Sequence, residues 1–260
     1  MEQAILSIKN LQKSYGENQV LKGIDLHVGS GQIIGYIGPN GAGKSTTVKI
    51  LLGIESDYSG EVKIFGEDIR HNDGLYKKNI GYVPEIAEVY DNLTGQEYLT
   101  FIGELYGLSQ DVAEYKAKGL MELFGIGEVF HTRIASYSKG MRQKILIISS
   151  MLHNPDLLFL DEPINGLDAN SVMIFKEIIA QLAKEGKTIF YSSHIMDVVE
   201  KISNRIILLN DGKIVADGTF DEIKQKNAQQ GTLEEIFNQL TGFTNHEEIG
   251  QKFVHLVTEN

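Results

Sequence analysis

The run Gly38-Pro39-Asn40-Gly41-Ala42-Gly43-Lys44-Ser45-Thr46 sets three glycines, a lysine and two hydroxyls within one short stretch. The spacing G-x-x-x-x-G-K-[ST] is that of a loop that cradles a nucleoside triphosphate. Glycines let the backbone curl so that successive N–H groups point at phosphate oxygens. Lys44 supplies a point charge for the β- and γ-phosphates, and the Ser45 hydroxyl can ligate Mg²⁺. A second group follows much later: Leu157-Leu158-Phe159-Leu160 is apolar and ends in Asp161-Glu162. Asp161 is placed to hold Mg²⁺ through its water shell, and Glu162 to polarise an attacking water. Alone, an acidic pair after an apolar run is usually a solvated turn. With the phosphate loop upstream, the two carboxylates become candidates for phosphoryl chemistry.

Such groups need elements to hold them. Residues 32–37 read as a buried strand entering the loop, and 45–52 as a helix leaving it with its N-terminus aimed at the anion. The 157–160 run reads as a strand that delivers both carboxylates at its carboxyl end. Further short strands are expected at 5–11, 20–28, 61–65 and 79–83, split by turns such as Gly29-Ser30-Gly31. From 94 to 152 the pattern turns helical. Thr94 and Glu97 form a capping box, residues 113–124 continue the helical pattern, and Gly125 and Gly127 break it. Strands at 188–192 and 205–209 then alternate with helices at about 169–184 and 196–202. That alternation predicts a parallel sheet covered on both faces. From Gly231 onward a second capping box, Thr232 with Glu235, precedes an apolar stripe of Leu233, Ile236, Phe237 and Leu240. A stripe of this kind docks on its own domain or against another subunit.

The bulk composition narrows the classes. The chain has 260 residues, 42% of them hydrophobic, enough for a large core in one or two domains. A net charge of −11 gives no overall attraction to nucleic acid or anionic lipid. Cysteine is absent, so no disulfide framework or thiolate metal site exists. Met1-Glu2-Gln3 shows no basic leader start, and no apolar run approaches the ~18 residues that span a bilayer. Membrane association is therefore expected only through a partner. His71 and His246 share no metal-ligand spacing with other side chains.

Ala135-Ser136-Tyr137-Ser138-Lys139-Gly140-Met141-Arg142-Gln143 resembles the signature motif of ATP-binding cassette proteins, usually Leu-Ser-Gly-Gly-Gln. Here the five positions are Tyr137, Ser138, Lys139, Gly140 and Met141, so the serine and one glycine remain. A Ser hydroxyl and a Gly N–H at a helix start can grip a γ-phosphate with help from the helix dipole. Other elements of this family follow in order. Tyr15 resembles the aromatic that stacks on adenine. Gly166-Leu167-Asp168 resembles the loop that crosses between monomers. His194 resembles the switch histidine that contacts the γ-phosphate. Glu85 stands where the family usually has glutamine, in a loop that senses Mg²⁺ and the transport partner. A carboxylate there still accepts from a metal-bound water but cannot donate as an amide does.

The resemblance covers about residues 4–241 and implies an α/β fold. Its core is the parallel sheet of a P-loop NTPase, with a small antiparallel β region and an inserted helical subdomain. The implied nucleotide-binding domain is 1–230, made of a core at 1–86 and 153–230 with the helical subdomain at 87–152 between. A helical tail follows at 231–260. The phosphate loop, residues Gly38, Pro39, Asn40, Gly41, Ala42, Gly43, Lys44, Ser45 and Thr46, would bind ATP. Tyr15 and the Ser138 and Gly140 of an opposing chain would complete the site, and Ser45, Asp161 and Glu85 would hold Mg²⁺. Glu162, His194 and Lys44 would carry catalysis. The implied protein is an ATPase that powers a separate membrane-spanning permease from the cytoplasmic face. It would pair with a second ATP-binding subunit, as homodimer or heterodimer. The Pro84-Glu85 form, the Ser138–Met141 signature and the Thr232–Phe237 tail resemble bacterial exporters. Rival readings are a soluble cassette ATPase acting on nucleic acid or ribosomes, and a nucleotide-gated regulatory protein. Neither fits the acidic charge and the full set of catalytic groups, and no nucleic acid is expected as a partner.

Overall fold

In the computed structural model, residues 4–226, 231–242 and 246–258 are described; the side chains of His246 and Glu247 lie outside that description. Strands β1 (Leu6–Tyr15) and β2 (Asn18–Val28) form a hairpin turned at Gly16, whose φ of 59° suits glycine. Strand β3 (Ile33–Ile37) enters the phosphate loop and helix α1 (Lys44–Leu51) leaves it. Strands β4 (Ser59–Ile64) and β5 (Glu67–Asp68) complete a four-stranded antiparallel sheet in the order β2-β1-β4-β5. After β6 (Ile80–Val83) come three helices, α2 (Gly95–Leu105), α3 (Gln110–Leu123) and α4 (Lys139–Met151). The chain then alternates: β7 (Leu157–Asp161), α5 (Ala169–Lys184), β8 (Thr188–Ser192), α6 (Met196–Ile202) and β9 (Arg205–Asn210). A final strand, β10 (Lys213–Gly218), precedes α7 (Phe220–Lys226), α8 (Leu233–Thr241) and α9 (His246–Thr258).

The second sheet has six strands in the order β10-β9-β3-β8-β7-β6, parallel throughout except for the antiparallel edge strand β10. Period-two alternation makes this sheet feed two cores. Ile34, Tyr36, Leu157, Phe159, Phe190, Ile207 and Leu209 face the antiparallel sheet and α1. Ile33, Ile37, Leu158, Leu160, Ile189, Tyr191, Ile206 and Leu208 face the helices on the other side. Parallel strands buried on both faces read as unbroken apolar runs for this reason.

Two helices approach the sheet closely enough to require glycine. A Cβ on Gly81 of β6 would lie 2.2 Å from the Ser150 carbonyl of α4, and one on Gly35 of β3 would lie 2.4 Å from Val199 of α6. Helix α2 starts in the expected capping box, with Thr94 and Glu97 bonded to each other's backbone N–H. Helix α8 buries Leu233 and Ile236 and packs on α6, with the Leu233 N–H donating to Glu200 at 3.1 Å. Of the two options for the 232–240 stripe, docking on its own domain is the one found. Strand β1 runs past the expected end at residue 11 because Gln12 to Tyr15 pair with β2, while Lys13 turns inward to Glu55 and Asp57. Among the described residues no helix is long and apolar enough to cross a membrane.

Candidate nucleotide and catalytic site

The loop between β3 and α1 is shaped by close contacts. Gly43, with φ at 106°, would bring a Cβ within 2.5 Å of the Leu21 side chain, and Gly38 would bring one within 2.3 Å of the Leu209 carbonyl. Thr47 bonds the Gly43 carbonyl at 2.9 Å and accepts from the buried Tyr36 hydroxyl at 3.1 Å, which pins the first turn of α1 to β3. No side chain caps α1 and no acidic residue lies in its first turn. Its leading N–H groups and positive dipole end therefore remain for an anion. The Lys44 ammonium bends into the loop and donates to Gly38 at 2.7 Å and Pro39 at 3.2 Å. Burial pulls its pKa down, and Asp161, Glu162 and Glu85 act against that shift.

The carboxylates meet the loop across one cleft. A space of about 410 Å³ is lined by Asn40, Gly41, Gly43, Lys44, Ser45 and Thr46 on one side, with Glu85, Asp161 and Glu162 opposite. Asn18 and Val20 of β2 close its third side. Asp161 accepts a hydrogen bond from Ser192 at the end of the adjacent strand. Glu162 sits at φ 48°, a left-handed conformation that non-glycine residues seldom adopt. Its N–H donates to the Ser192 carbonyl at 3.0 Å. Its carboxylate accepts from the His194 N–H at 2.8 Å and from the Ser193 hydroxyl at 3.3 Å. The His194 Nδ1 lies 2.9 Å from the same carboxylate, with the ring otherwise open to solvent.

Not every candidate converges here. Tyr15 is 46% exposed at the tip of the β1–β2 hairpin, outside the cleft lining; its hydroxyl donates to Glu55 at 3.1 Å and Lys13 lies over its ring. Ser138 and Gly140 head α4, where the Ser138 side chain accepts from the Met141 N–H at 3.3 Å. They line no part of this chain's own cleft. Asp168 caps α5 through Ser171 and pairs with Lys144 at 3.4 Å; those partners hold its carboxyl well below the usual range. Among the described residues no group of three or more His, Cys, Asp or Glu could hold a metal alone. Sequence reading passed over Asn18, Val20, Ser192 and Ser193. The two serines carried a signal, since they directly precede His194 at the end of an apolar strand.

A mostly parallel sheet with a phosphate loop after one strand and a carboxylate pair after another defines a nucleoside-triphosphate hydrolase. The comparisons with known proteins carry this further. A model of the ABC transporter family matches residues 21–165. The linearmycin resistance ATP-binding protein LnrL of Bacillus subtilis (strain 168) is 36% identical over 215 residues, 83% of this chain and 69% of that protein. The bacitracin transport ATP-binding protein BcrA of Bacillus licheniformis is 34% identical over 224 residues, 86% of this chain and 72% of that one. A solved structure of an ATP-binding subunit of an ABC transporter superposes with a TM-score of 0.85 at 31% identity, covering 91% of this chain and 99% of that one. The chain belongs to the ABC transporter family. It is an ATP-binding and ATP-hydrolysing subunit that powers a separate membrane-spanning permease.

Proposed function

We propose that this chain drives an exporter, working as one of two ATP-binding subunits that close head to tail around ATP at the inner face of the membrane. The observation that carries the catalytic reading is the single cleft that brings Lys44 and Ser45 opposite Asp161 and Glu162. The linearmycin-resistance name of one relative supports export as the direction of transport.

In this reading the phosphate loop, Gly38 to Thr46, wraps the β- and γ-phosphates with N–H groups, and Lys44 turns from its own carbonyls to the phosphate oxygens. The donor set suits Mg²⁺, which takes one or two carboxylates and fills its shell with phosphate oxygens and water. Ser45 and Asp161 would hold it, with Glu85 reaching a bound water, and the ion would neutralise charge on the phosphates. Glu162 takes the proton of the attacking water. Its carboxylate is already oriented by the His194 and Ser193 hydrogen bonds, so little reorganisation is required. His194 stands beside it to contact the γ-phosphate. Ser138 and Gly140 complete the site of the opposing subunit, which explains why they head a helix away from their own cleft. Tyr15 stacks on the adenine ring at the cleft's hairpin edge. The helices of residues 87–152 form the subdomain that meets the permease, and 231–260 form a tail on the core domain.

The test is purification of the tagged chain from membranes. A polytopic membrane protein should accompany it, and reconstitution of the pair in vesicles should raise ATP turnover. Gel filtration with ATP and Mg²⁺ should show a dimer. Recovery of ribosomes or nucleic acid in place of a membrane protein would overturn the transport reading.

A further inference from the structure

Gln143 is a polar side chain set among core residues. It lies on α4 beside Ile145, Leu146, Ile147 and Ile148, all buried, and is itself only 2% exposed. Burying an amide is costly unless it is hydrogen-bonded, so the partner tells what the residue is for. Its Nε2 donates to the Pro163 carbonyl at 2.9 Å. Pro163 directly follows Glu162 and has no N–H of its own, so the chain is held there through its carbonyl. Glu162 needs such holding, because its φ of 48° is a strained conformation that persists only when its surroundings impose it. The Ser192 carbonyl restrains Glu162 from the sheet side. Gln143 restrains the residue after it from the helix side.

Two more contacts extend the same clamp. A Cβ on Gly140 would lie 2.7 Å from the Gly166 carbonyl, so this turn of helix rests on the loop backbone. Lys144 reaches Asp168 at 3.4 Å. Positions 140, 143 and 144 share one helix face, and they meet the loop at Gly166, Pro163 and Asp168 in turn. The helix that starts at Ser138 and the loop that carries Glu162 are thereby fastened along their shared length.

We infer that Gln143 is a positioning residue for ATP hydrolysis: its amide sets Glu162 against the attacking water and ties that setting to the helix headed by Ser138. The inference rests on Glu162 being the base, as proposed above. With Ser138 engaged on the opposing subunit's nucleotide, one hydrogen bond then links the state of that site to the base of this one.

Gln143→Met keeps length and packing but removes the donor. ATP turnover, nucleotide affinity and melting temperature are measured for this variant, for Glu162→Gln and for the double variant. Because misplacement by about 1 Å costs up to ~10²-fold, kcat of Gln143→Met should fall roughly tenfold to a hundredfold. KM and the affinity for a fluorescent ATP analogue should move by less than about threefold, since binding groups are untouched. Adding Gln143→Met to Glu162→Gln should cause no further loss, because the group it positions is already disabled. An unchanged kcat in Gln143→Met overturns the inference while leaving Glu162 as base. A further multiplicative loss in the double variant also overturns it, as does a loss of affinity and melting temperature that parallels the loss of turnover. Wild-type turnover in Glu162→Gln alone removes the base assignment, and the role of Gln143 with it. If Gln143→Met melts below the assay temperature, Gln143→Asn, which withdraws the amide by one methylene, carries the same expectations.

Discussion

Replacing Lys44 by alanine separates what the phosphate loop does for shape from what it does for charge. In the free protein the ammonium gives up two hydrogen bonds, to Gly38 at 2.7 Å and Pro39 at 3.2 Å. Each contributes about 1 kcal/mol net, and part of that is returned because burial already disfavours the charged form. A chain of this size shifts its melting point by about 2–4 °C per kcal/mol, so a change of only a few degrees is expected. The nucleotide complex loses far more. A unit charge about 4 Å from a phosphate oxygen at an effective dielectric of ~20 is attracted by about 4 kcal/mol. Dehydration of both groups offsets some of this, while Asp161, Glu162 and Glu85, the charges that act on Lys44, are left facing the triphosphate without a counter-charge. A net loss of about 2–3 kcal/mol corresponds to a 30- to 150-fold weaker Kd for ATP. Adenosine carries no phosphate and should bind both proteins alike. Isothermal titration with ATP, ADP and adenosine gives all three comparisons. Equal losses for ATP and adenosine would mean a damaged fold, and ATP affinity within about threefold of wild type would refute the placement of the lysine charge at the phosphates.

Three further outcomes are expected. Glu162→Gln should bind ATP yet lose about 10²- to 10⁴-fold in turnover, and should accumulate as a dimer in gel filtration with ATP and Mg²⁺; near-wild-type phosphate release would remove Glu162 from its role. Glu85→Gln should keep basal hydrolysis with slightly weaker Mg²⁺ affinity, whereas Glu85→Ala should lose mainly the stimulation by the permease; a match of Glu85→Ala to wild type across a Mg²⁺ titration, with and without permease, would make Glu85 a plain surface acid. His153 is held below its ordinary pKa of 6.5 by burial and by Lys116 and Lys187, against the opposing pull of the Ile80 carbonyl. The unfolded chain then binds the proton more readily, so the contribution of the neutral ring is fully present above about pH 6.5 and is lost progressively as pH falls from there through the lower pKa of the folded state. His153→Gln should flatten the fall of melting temperature on acidification, and an identical slope in both proteins would exclude His153 as its source.

How much was legible from sequence depended on whether a local signal existed. The strand-loop-helix around Lys44 and the strand ending at Asp161 were readable because apolar runs and glycines bracket them. Helix α7 and strand β10 were passed over although both carried signals. Thr219 and Glu222 exchange capping hydrogen bonds, and Asp211-Gly212, both at positive φ, form the turn between β9 and β10. The clamp of Gln143 on Pro163 had no local signal at all. A glutamine between Arg142 and Lys144 reads as one more polar residue and says nothing about which distant carbonyl it will meet. Tyr15 is legible only through the family resemblance; the fold leaves its ring 46% exposed at the hairpin tip, beside Lys13 and Glu55.

The position of β3 in the sheet has a consequence for time. This strand leads into the phosphate loop, yet both its neighbours, β8 and β9, lie far downstream, the first beginning about 150 residues after β3 ends. At a ribosomal pace of ~5–20 residues per second, the Ile33–Ile37 segment emerges roughly 8–30 s before either edge can be filled. Throughout that interval an apolar strand with two open edges and a glycine-rich loop has no sheet to join. A nascent chain ending soon after Glu162 already contains both the phosphate loop and the two carboxylates but neither strand that flanks β3. Nucleotide binding to a phosphate loop set in its finished sheet therefore waits until β8 and β9 have been made.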